Sequence, residues 1–559
     1  MATIIGSAGS DTLLGTSGSD FIDTAGGFDA VNAGAGDDIV RLTSPVPDTN
    51  DPVKIIDGGS GHDVLDLTAW QGRLSDHDVG GFLGFNEPSA DGSHLVWPGY
   101  VRNFEEVHLG PGVQWFSAYQ ASEADPATLA GWMIVGSAGA DNVADSRGFD
   151  RLDMGAGNDA VHYMGGSDWV SLGDGDDIFS METNTGFQDH VTINGGAGID
   201  TLQVNQFSLG LHMRFDLAAG LGQVGESGFT LTGMENIRIE TRGGPAETGR
   251  TVEIAGDDSD NNFSATGDVD TLLLGRAGND ALLGNELQHA LIAYGGAGND
   301  SLFGSDGSDW LNGGQYGADS VPSATADDGG DYIDGRNGND HIFGNSQFAP
   351  QGGADGGDLI HGGDGLDYVN GNGGNDTIYG DAGPDRLYGG AGGDIIDGGT
   401  GNDHLNGNKG DDTLHGGEGD DDLMGGQGDD RLNGDNGFDR LTGNAGNDIF
   451  SIFAYGHFAT SGPDAYRTDL ITDFQDGGDK LELYSMLPTV LHPGAAVDFA
   501  GAFSLAAKAL YRASDATVAA VQVGSDTVLF YDNFGHGPES AIQLLHVDAR
   551  MISTQDFVP

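Results

Sequence analysis

Gly362-Gly363-Asp364-Gly365-Leu366-Asp367-Tyr368-Val369 and Gly416-Gly417-Glu418-Gly419-Asp420-Asp421-Asp422-Leu423 are two copies of one nine-residue pattern. Around and between them aspartate returns every nine residues, at 358, 367, 376, 385, 394, 403, 412, 421, 430, 439 and 448. Two places after each stands a large apolar residue: Ile360, Val369, Ile378, Leu387, Ile396, Leu405, Leu414, Leu423, Leu432, Leu441 and Phe450. An apolar residue held in one phase through eleven units marks a position turned away from water. The residue between the two is mixed (Tyr368, Arg386, His404, Asp422, Arg431), as an outward side chain on a short strand is. Each unit reads as a six-residue Gly/Asp turn followed by a three-residue strand, and strict repetition of such a unit predicts stacked coils. A solvated, disordered Gly/Asp tract would need neither the period nor the apolar phase.

At these residues the pattern G-G-x-G-x-D-x-U-x resembles the RTX (repeats-in-toxin) calcium-binding family. The resemblance implies an all-β chain, a right-handed parallel β-roll or β-solenoid. Two nonapeptides make one coil, and Ca²⁺ lies between the turn of one repeat and that of the repeat two further on. It also implies the ligands: carbonyls at motif positions two and four and the carboxylate at position six. Within the main array these are Gly356 and Asp358; Gly363, Gly365 and Asp367; Asn372, Gly374 and Asp376; Asp381, Gly383 and Asp385; and Gly390, Gly392 and Asp394. They continue with Gly399, Gly401 and Asp403; Asn408, Gly410 and Asp412; Gly417, Gly419 and Asp421; Gly426, Gly428 and Asp430; Asp435, Gly437 and Asp439; and Gly446 and Asp448. Two earlier turns add Gly296, Gly298 and Asp300, and Gly307 and Asp309.

The chemistry of the residues leads the same way. Glycine tolerates the positive φ that turns several carbonyls toward one point. A carboxylate from each flanking turn completes an all-oxygen shell that suits Ca²⁺ better than Mg²⁺, which gives up its waters reluctantly. One inward Leu or Ile contributes about 1.5–3 kcal/mol, whereas ordering nine backbone residues costs on the order of 9–18 kcal/mol. Strand hydrogen bonds narrow that gap and stacked like charges widen it. The array is therefore expected to fold only when multiple Ca²⁺ ions neutralise its turns.

Composition agrees. The chain has 559 residues, 100 of them Gly, no Cys, 87 acidic against 21 basic side chains, and a formal net charge of -66. Of the acids 73 are Asp and 14 Glu, which opposes helix and favours turns. The charge argues against nucleic acid and anionic membranes as partners, since both need clustered Lys and Arg. Without cysteine neither disulfides nor zinc-thiolate sites can staple the fold. Met1-Ala2-Thr3-Ile4-Ile5-Gly6 does not read as a secretory signal peptide, and the absence of an 18-residue apolar run argues against a transmembrane segment.

Shorter arrays lie upstream, with Asp11, Asp20, Asp29 and Asp38 in one phase and Asp141, Asp150, Asp159, Asp168 and Asp177 in another. Thr24, Asp145 and Tyr163 stand where the first glycine of a turn belongs, which puts calcium at those turns in doubt. Further units occur at Asp63, Asp200, Asp280, Asp300, Asp309, Asp331 and Asp340, with surface loops expected at 314–330 and 345–355. The expected organisation is an RTX-like roll over 1–65, a Trp-rich insertion over 66–135 and a second RTX-like block over 136–202. A β-rich insertion over 203–255, an interrupted block over 256–345, the main roll over 346–450 and a C-terminal cap over 451–559 follow. The insertions, carrying Trp70, Trp97, Trp115 and Trp132 and then Phe207, Phe215 and Phe229, are read as wider coils or β-rich excursions that rejoin the roll. Their rings are read first as packing and second as a carbohydrate platform.

After Phe450 the glycine rhythm stops. The stretch from Asp469-Leu470-Ile471-Thr472-Asp473-Phe474 to Asp479-Lys480-Leu481-Glu482-Leu483 resembles the segment that follows the β-roll in serralysin-type secreted proteases and other type I secretion substrates. Phe499, Phe503, Ala506 and Leu510 predict one amphipathic helix, and a hairpin is expected around Val521-Gln522-Val523 and Thr527-Val528-Leu529-Phe530-Tyr531. Asp556-Phe557-Val558-Pro559 resembles the acidic-then-hydrophobic end of uncleaved type I export signals, with Pro559 in place of an aliphatic residue.

No His-Glu-x-x-His and no Gly-x-Ser-x-Gly occurs, so the zinc-protease and serine-hydrolase motifs are missing. His341, His361, His404 and His415 are expected on the surface, and Asp76-His77-Asp78 is read as a loop charge cluster. The resemblance therefore implies a secreted, extracellular or cell-surface calcium-binding protein that folds on export. Its partners would be calcium, the type I secretion machinery through the C-terminus, and surface polysaccharide or further copies of itself. Its role reads as non-catalytic adhesion or matrix. The alternative is a secreted polysaccharide-active hydrolase, lyase or epimerase with its groove in residues 66–255.

Overall fold

The computed structural model describes residues 1–26, 29–43, 56–69, 101–102, 104, 106–110, 116–117, 132–145, 148–183, 190–206, 212–225, 227–241, 251–267, 269–284, 287, 289–315, 329–345, 356–451, 468–475, 477–483, 488–511, 517–532 and 540–558. These are mostly strands in long parallel sheets, consistent with a parallel β-roll, with a short helix near the C-terminus. The chain divides into two compact units, Met1–Asp257 with Asn261–Asp270, and Asp258–Asp260 with Thr271–Pro559.

In the second unit the nine-residue rhythm becomes an 18-residue coil. Strand Arg386–Ala391 pairs in parallel with His404–Lys409, and Leu387 lies against Leu405. On the other sheet Thr413–Glu418 pairs with Arg431–Asn436, and Leu414 lies against Leu432. Successive repeats thus alternate between two sheets, and the apolar residues two places after each aspartate stack into a seam between them. All eleven, from Ile360 to Phe450, are at most 1% exposed, so the seam is the core. The intervening residues Tyr368, Arg386, His404, Asp422 and Arg431 are half-buried or exposed, as outward positions should be.

The strands are longer than the three residues expected. Thr413–Glu418 runs six residues because the ladder continues into the glycine turn, with Gly417 opposite Asp435 and Glu418 opposite Asn436. Turns that repeat at the same interval as the strands stack on one another, so their backbone groups find partners in the next coil. Upstream the coil absorbs insertions: Trp310 pairs with His341 and Leu311 with Ile342 across the 316–328 segment, which lies outside the described residues.

The C-terminal residues extend both sheets. Asp469–Ile471 continues from Arg440–Ala445, and Lys480–Glu482 continues from Ile449–Ser451. Asp469–Ile471 then pairs with Ser540–Leu544, and Lys480–Glu482 with Phe557–Val558. The expected hairpin is present as Thr517–Val523 antiparallel to Asp526–Asp532. The expected helix spans Phe499–Leu510; its N-cap Asp498 accepts the Gly501 N–H at 2.8 Å. It buries Ala502, Ala506 and Leu510 against Ala519, Val521, Val528 and Phe530, with Phe499 and Phe503 at the margin.

The first unit uses the same coil. Ile4, Ile22 and Val40 stack, then Leu65, Val107, Ile134 and Leu152, so the 66–135 insertion rejoins the roll at Glu106–His108. Leu202, Ile237 and Phe263 stack likewise around an antiparallel excursion of Met213–Asp216, Leu221–Val224 and Ser227–Thr232. Phe215 and Phe229 are buried and meet edge to face at 5.8 Å, and Trp132 is buried too, so these rings are packing. Trp70, Trp97, Trp115, Phe207 and Asp76-His77-Asp78 lie outside the described residues.

Candidate metal sites

Aspartates at motif position six form two continuous ladders in the second unit. Asp300, Asp331, Asp358, Asp376, Asp394, Asp412, Asp430 and Asp448 follow one edge, and Asp309, Asp340, Asp367, Asp385, Asp403, Asp421 and Asp439 the other. In each step the Oδ1 of one aspartate accepts the backbone N–H of the aspartate one coil earlier, as Asp403 does from Asp385 at 2.8 Å. All fifteen are at most 3% exposed.

Such depth is unusual for an ionised side chain, and in at least eight of them one carboxylate oxygen is left over. The Oδ2 atoms of Asp367, Asp385, Asp394, Asp403, Asp412, Asp421, Asp430 and Asp439 are buried without a hydrogen-bond partner. Each lies beside the first glycine of its own turn: a methyl group on Gly380 would come within 2.7 Å of Asp385 Oδ2, and one on Gly398 within 2.6 Å of Asp403 Oδ2. Position one is therefore glycine to leave room for the carboxylate.

Position two needs the left-handed backbone. Gly296, Gly363, Gly390, Gly399, Gly417 and Gly426 have positive φ, and so do Asn372, Asp381, Asn408 and Asp435, two residue types that tolerate it. The carbonyls there are partly engaged: Gly399 O accepts Glu418 N–H at 2.7 Å and Asp381 O accepts Thr400 N–H at 2.8 Å, leaving one lone pair each. At position four a methyl group on Gly365, Gly383, Gly392, Gly401, Gly410, Gly419, Gly428, Gly437 or Gly446 would overlap the position-four carbonyl oxygen of the coil before. Gly374 meets the Gly356 carbonyl in the same way, and Gly298 the Gly278 carbonyl; at Gly307 the obstruction is the backbone at His289 and Ala290. These carbonyls thus form a column running from turn to turn, and methyl groups on Gly374, Gly401 and Gly437 would also meet the Oδ1 of Asp376, Asp403 and Asp439.

The electrostatics are those of a site built for a cation. Burial first, and the next carboxylate in the ladder second, push Asp340, Asp385 and Asp439 up to about 8, against gains from the backbone N–H bonds. The same causes hold Asp412, Asp421 and Asp430 at about 7, and burial holds Asp367, Asp394 and Asp403 at about 6. Orphaned carboxylate oxygens beside glycine carbonyls make a hard, all-oxygen donor set, which fits Ca²⁺.

The ladders reach further than the nine-residue phase. Asp439 N–H donates to Asp469 Oδ1 at 3.2 Å and Asp448 N–H to Asp479 Oδ1 at 3.1 Å, so two aspartates beyond the array take position-six places. The first unit has its own ladders, Asp20 to Asp38 to Asp63 and Asp141 to Asp159 to Asp177 to Asp200, the last ending on Glu235. The histidines lie off the ladders. His361, His404 and His415 are half-buried beside Asp381, Asp422 and Asp435 at 3.0, 3.4 and 3.2 Å, and His341 is exposed and stacked on Trp310.

A family model of the RTX calcium-binding nonapeptide repeat matches residues 3–40, 135–170, 292–315, 324–347, 352–387, 388–423 and 424–451. The chain thus carries hemolysin-type RTX calcium-binding repeats in a parallel roll, in both of its units. No curated protein matches it. Among the described residues no helix is long and apolar enough to cross a membrane.

Proposed function

We propose that this chain is a secreted calcium-dependent β-roll protein that leaves the cell unfolded and closes in millimolar external Ca²⁺, serving as a non-catalytic adhesion or matrix component at the cell surface. The observation that carries the reading is the column of buried, half-satisfied carboxylates beside glycine carbonyls. In each sandwich the ligands are the position-two and position-four carbonyls and the position-six carboxylate, as in Gly399, Gly401 and Asp403 below Gly417, Gly419 and Asp421. Extracellular calcium modules bind at about 10⁻⁴–10⁻³ M, so submicromolar cytosolic calcium leaves the turns repelling one another. An unfolded chain can thread a channel.

Residues 451–559 act in this reading as a serralysin-type cap and as the type I export segment. Support comes from the way Asp469–Ile471 and Lys480–Glu482 cover the last coil of both sheets, an open edge that solenoids must protect. Circular dichroism of the purified chain, titrated with Ca²⁺, then EGTA, and separately with Mg²⁺, tests the metal. A β-signal unchanged by chelation refutes it. Comparing culture medium with cell lysate for the chain with and without residues 451–559 tests export, and equal release of both refutes that role.

A further inference from the structure

One turn of the first unit breaks the repeat in a way that adds chemistry. In the turn that ends at Asp150 the first position holds Asp145 instead of glycine. In the second unit a Cβ at this position would meet the Oδ2 of the turn's own aspartate, as at Gly380 and Gly398, so a carboxylate placed there lies beside that oxygen. Oxygens of Asp145, Asp150 and Asp168 lie within 4.8 Å of one another, and the three residues are 0%, 3% and 2% exposed. Asp145 Oδ1 accepts the Met164 N–H at 2.5 Å, whereas its buried Oδ2 has no hydrogen-bond partner. Asp150 Oδ1 accepts the Trp132 N–H at 2.6 Å and Asp168 Oδ1 accepts the Asp150 N–H at 2.7 Å.

The trio is bounded along the ladder. Trp132 takes the position-six place one coil before Asp150, and Val191 the place one coil after Asp168, both buried. The turn before Asp168 has also changed character: Tyr163 stands at its first position and its hydroxyl donates to Gly166 O at 2.6 Å. That position-four carbonyl would otherwise face an ion. At this coil step the tyrosine hydroxyl takes one lone pair of a position-four carbonyl, and a carboxylate is added. Burial, then Asp168 and Asp150, hold the Asp145 carboxyl well above the usual range, which is the cost of three acids without a counterion.

We propose that Asp145, Asp150 and Asp168 form a separate calcium site in the first unit, in which a position-one carboxylate takes over the part that carbonyls play in the repeats. Calcium ligands lie about 2.3–2.6 Å from the ion and so up to about 5 Å from one another, the spread these oxygens have. With three side-chain charges converging, the site holds Ca²⁺ more tightly than a repeat turn. It keeps its ion at concentrations where the repeats have emptied.

Hydrogen exchange of the full-length chain against free Ca²⁺, read by peptide, tests this. In the wild type, peptides covering 142–170 are expected to gain protection at lower Ca²⁺ than peptides from 356–451. Asp145→Asn is expected to raise the first midpoint at least tenfold and leave the second unchanged. Asp145→Gly, which puts back the glycine of the repeat motif as at Gly136 in the turn before, should do the same. An unchanged 142–170 midpoint in both variants overturns the site. So does equal protection of that segment in EGTA and in Ca²⁺, the result expected if a shared proton holds the carboxylates together. Failure of the 356–451 peptides to respond would strike the repeat reading instead.

Discussion

Asp403→Asn should stabilise the metal-free roll and destabilise the calcium-loaded one. Asp403 is 2% exposed; its Oδ1 holds the Asp385 N–H at 2.8 Å and its Oδ2 has no hydrogen-bond partner. Burial first, then Asp397, raises its carboxyl from 3.8 to about 6, a displacement worth on the order of 3 kcal/mol. The folded-state value lies above the unfolded one, so the stability Asp403 contributes is fully present below about pH 4 and is lost as pH rises through about 6. Asparagine retains the oxygen that binds Asp385 and has no charge to lose, so at neutral pH in EGTA the variant recovers up to that amount.

With Ca²⁺ the sign reverses, because an amide N–H₂ then points where the ion needs an anion. The half-saturating Ca²⁺ should rise by about 10²-fold, equivalent to about 3 kcal/mol. Far-UV circular dichroism, followed once against free Ca²⁺ at neutral pH and once against pH in EGTA, reads both arms. A substitution that merely damages packing weakens both. Loss of β-signal in both arms, or an unchanged Ca²⁺ midpoint, refutes the assignment of Asp403 as a ligand.

The metal-free chain as a whole should gain β-structure on acidification: Asp340, Asp385 and Asp439 at about 8 and Asp412, Asp421 and Asp430 at about 7 destabilise the fold as pH rises through about 6–8, and circular dichroism in EGTA from pH 4 to 8 checks it. Gly419→Ala, at φ 146° and overlapping the Gly401 carbonyl, should cost about 3–5 kcal/mol in urea unfolding with Ca²⁺. Gly18→Ala has nothing within 4 Å of the new methyl and should stay within about 0.5 kcal/mol. Leu510→Ala, buried in the helix interface, should lower the stability of the C-terminal residues by about 2–5 kcal/mol and leave the Ca²⁺ midpoint of the 356–445 peptides in place, read by hydrogen exchange.

The roll was legible because one residue in nine carries the core and one carries the charge, each in a fixed phase. Leu387 over Leu405 and Asp385 over Asp403 follow from counting alone. The length of the strands was not, since sequence patterning reports side chains and the extra residues pair through glycine backbone, as at Gly417 and Asp435. Asp469 and Asp479 escaped because separations of 30 and 31 residues replace the regular 18, although Asp469-Leu470-Ile471 and Asp479-Lys480-Leu481 keep the Asp-x-apolar signature. Asp145 looked like a defect in a turn. Its meaning depends on the carboxylate of its own turn, Asp150, and that of the turn one coil on, Asp168, which the coil brings within 4.8 Å.

In the proposed reading residues 553–558 tie folding to export. Asp556 is buried, and its Oδ2 accepts the Ser553 N–H at 2.8 Å and the Ser553 hydroxyl at 3.0 Å. Phe557 is 3% exposed and pairs with Leu481, which in turn pairs with Phe450 on the last repeat. The acidic-hydrophobic segment proposed to be read by the secretion machinery is therefore consumed by the cap once the second unit closes. A channel could engage it only while the sheets ahead of it are open. On the proposed reading the carboxylate ladders hold them open while calcium is scarce, so the charge that destabilises the metal-free roll would also keep the proposed export segment available.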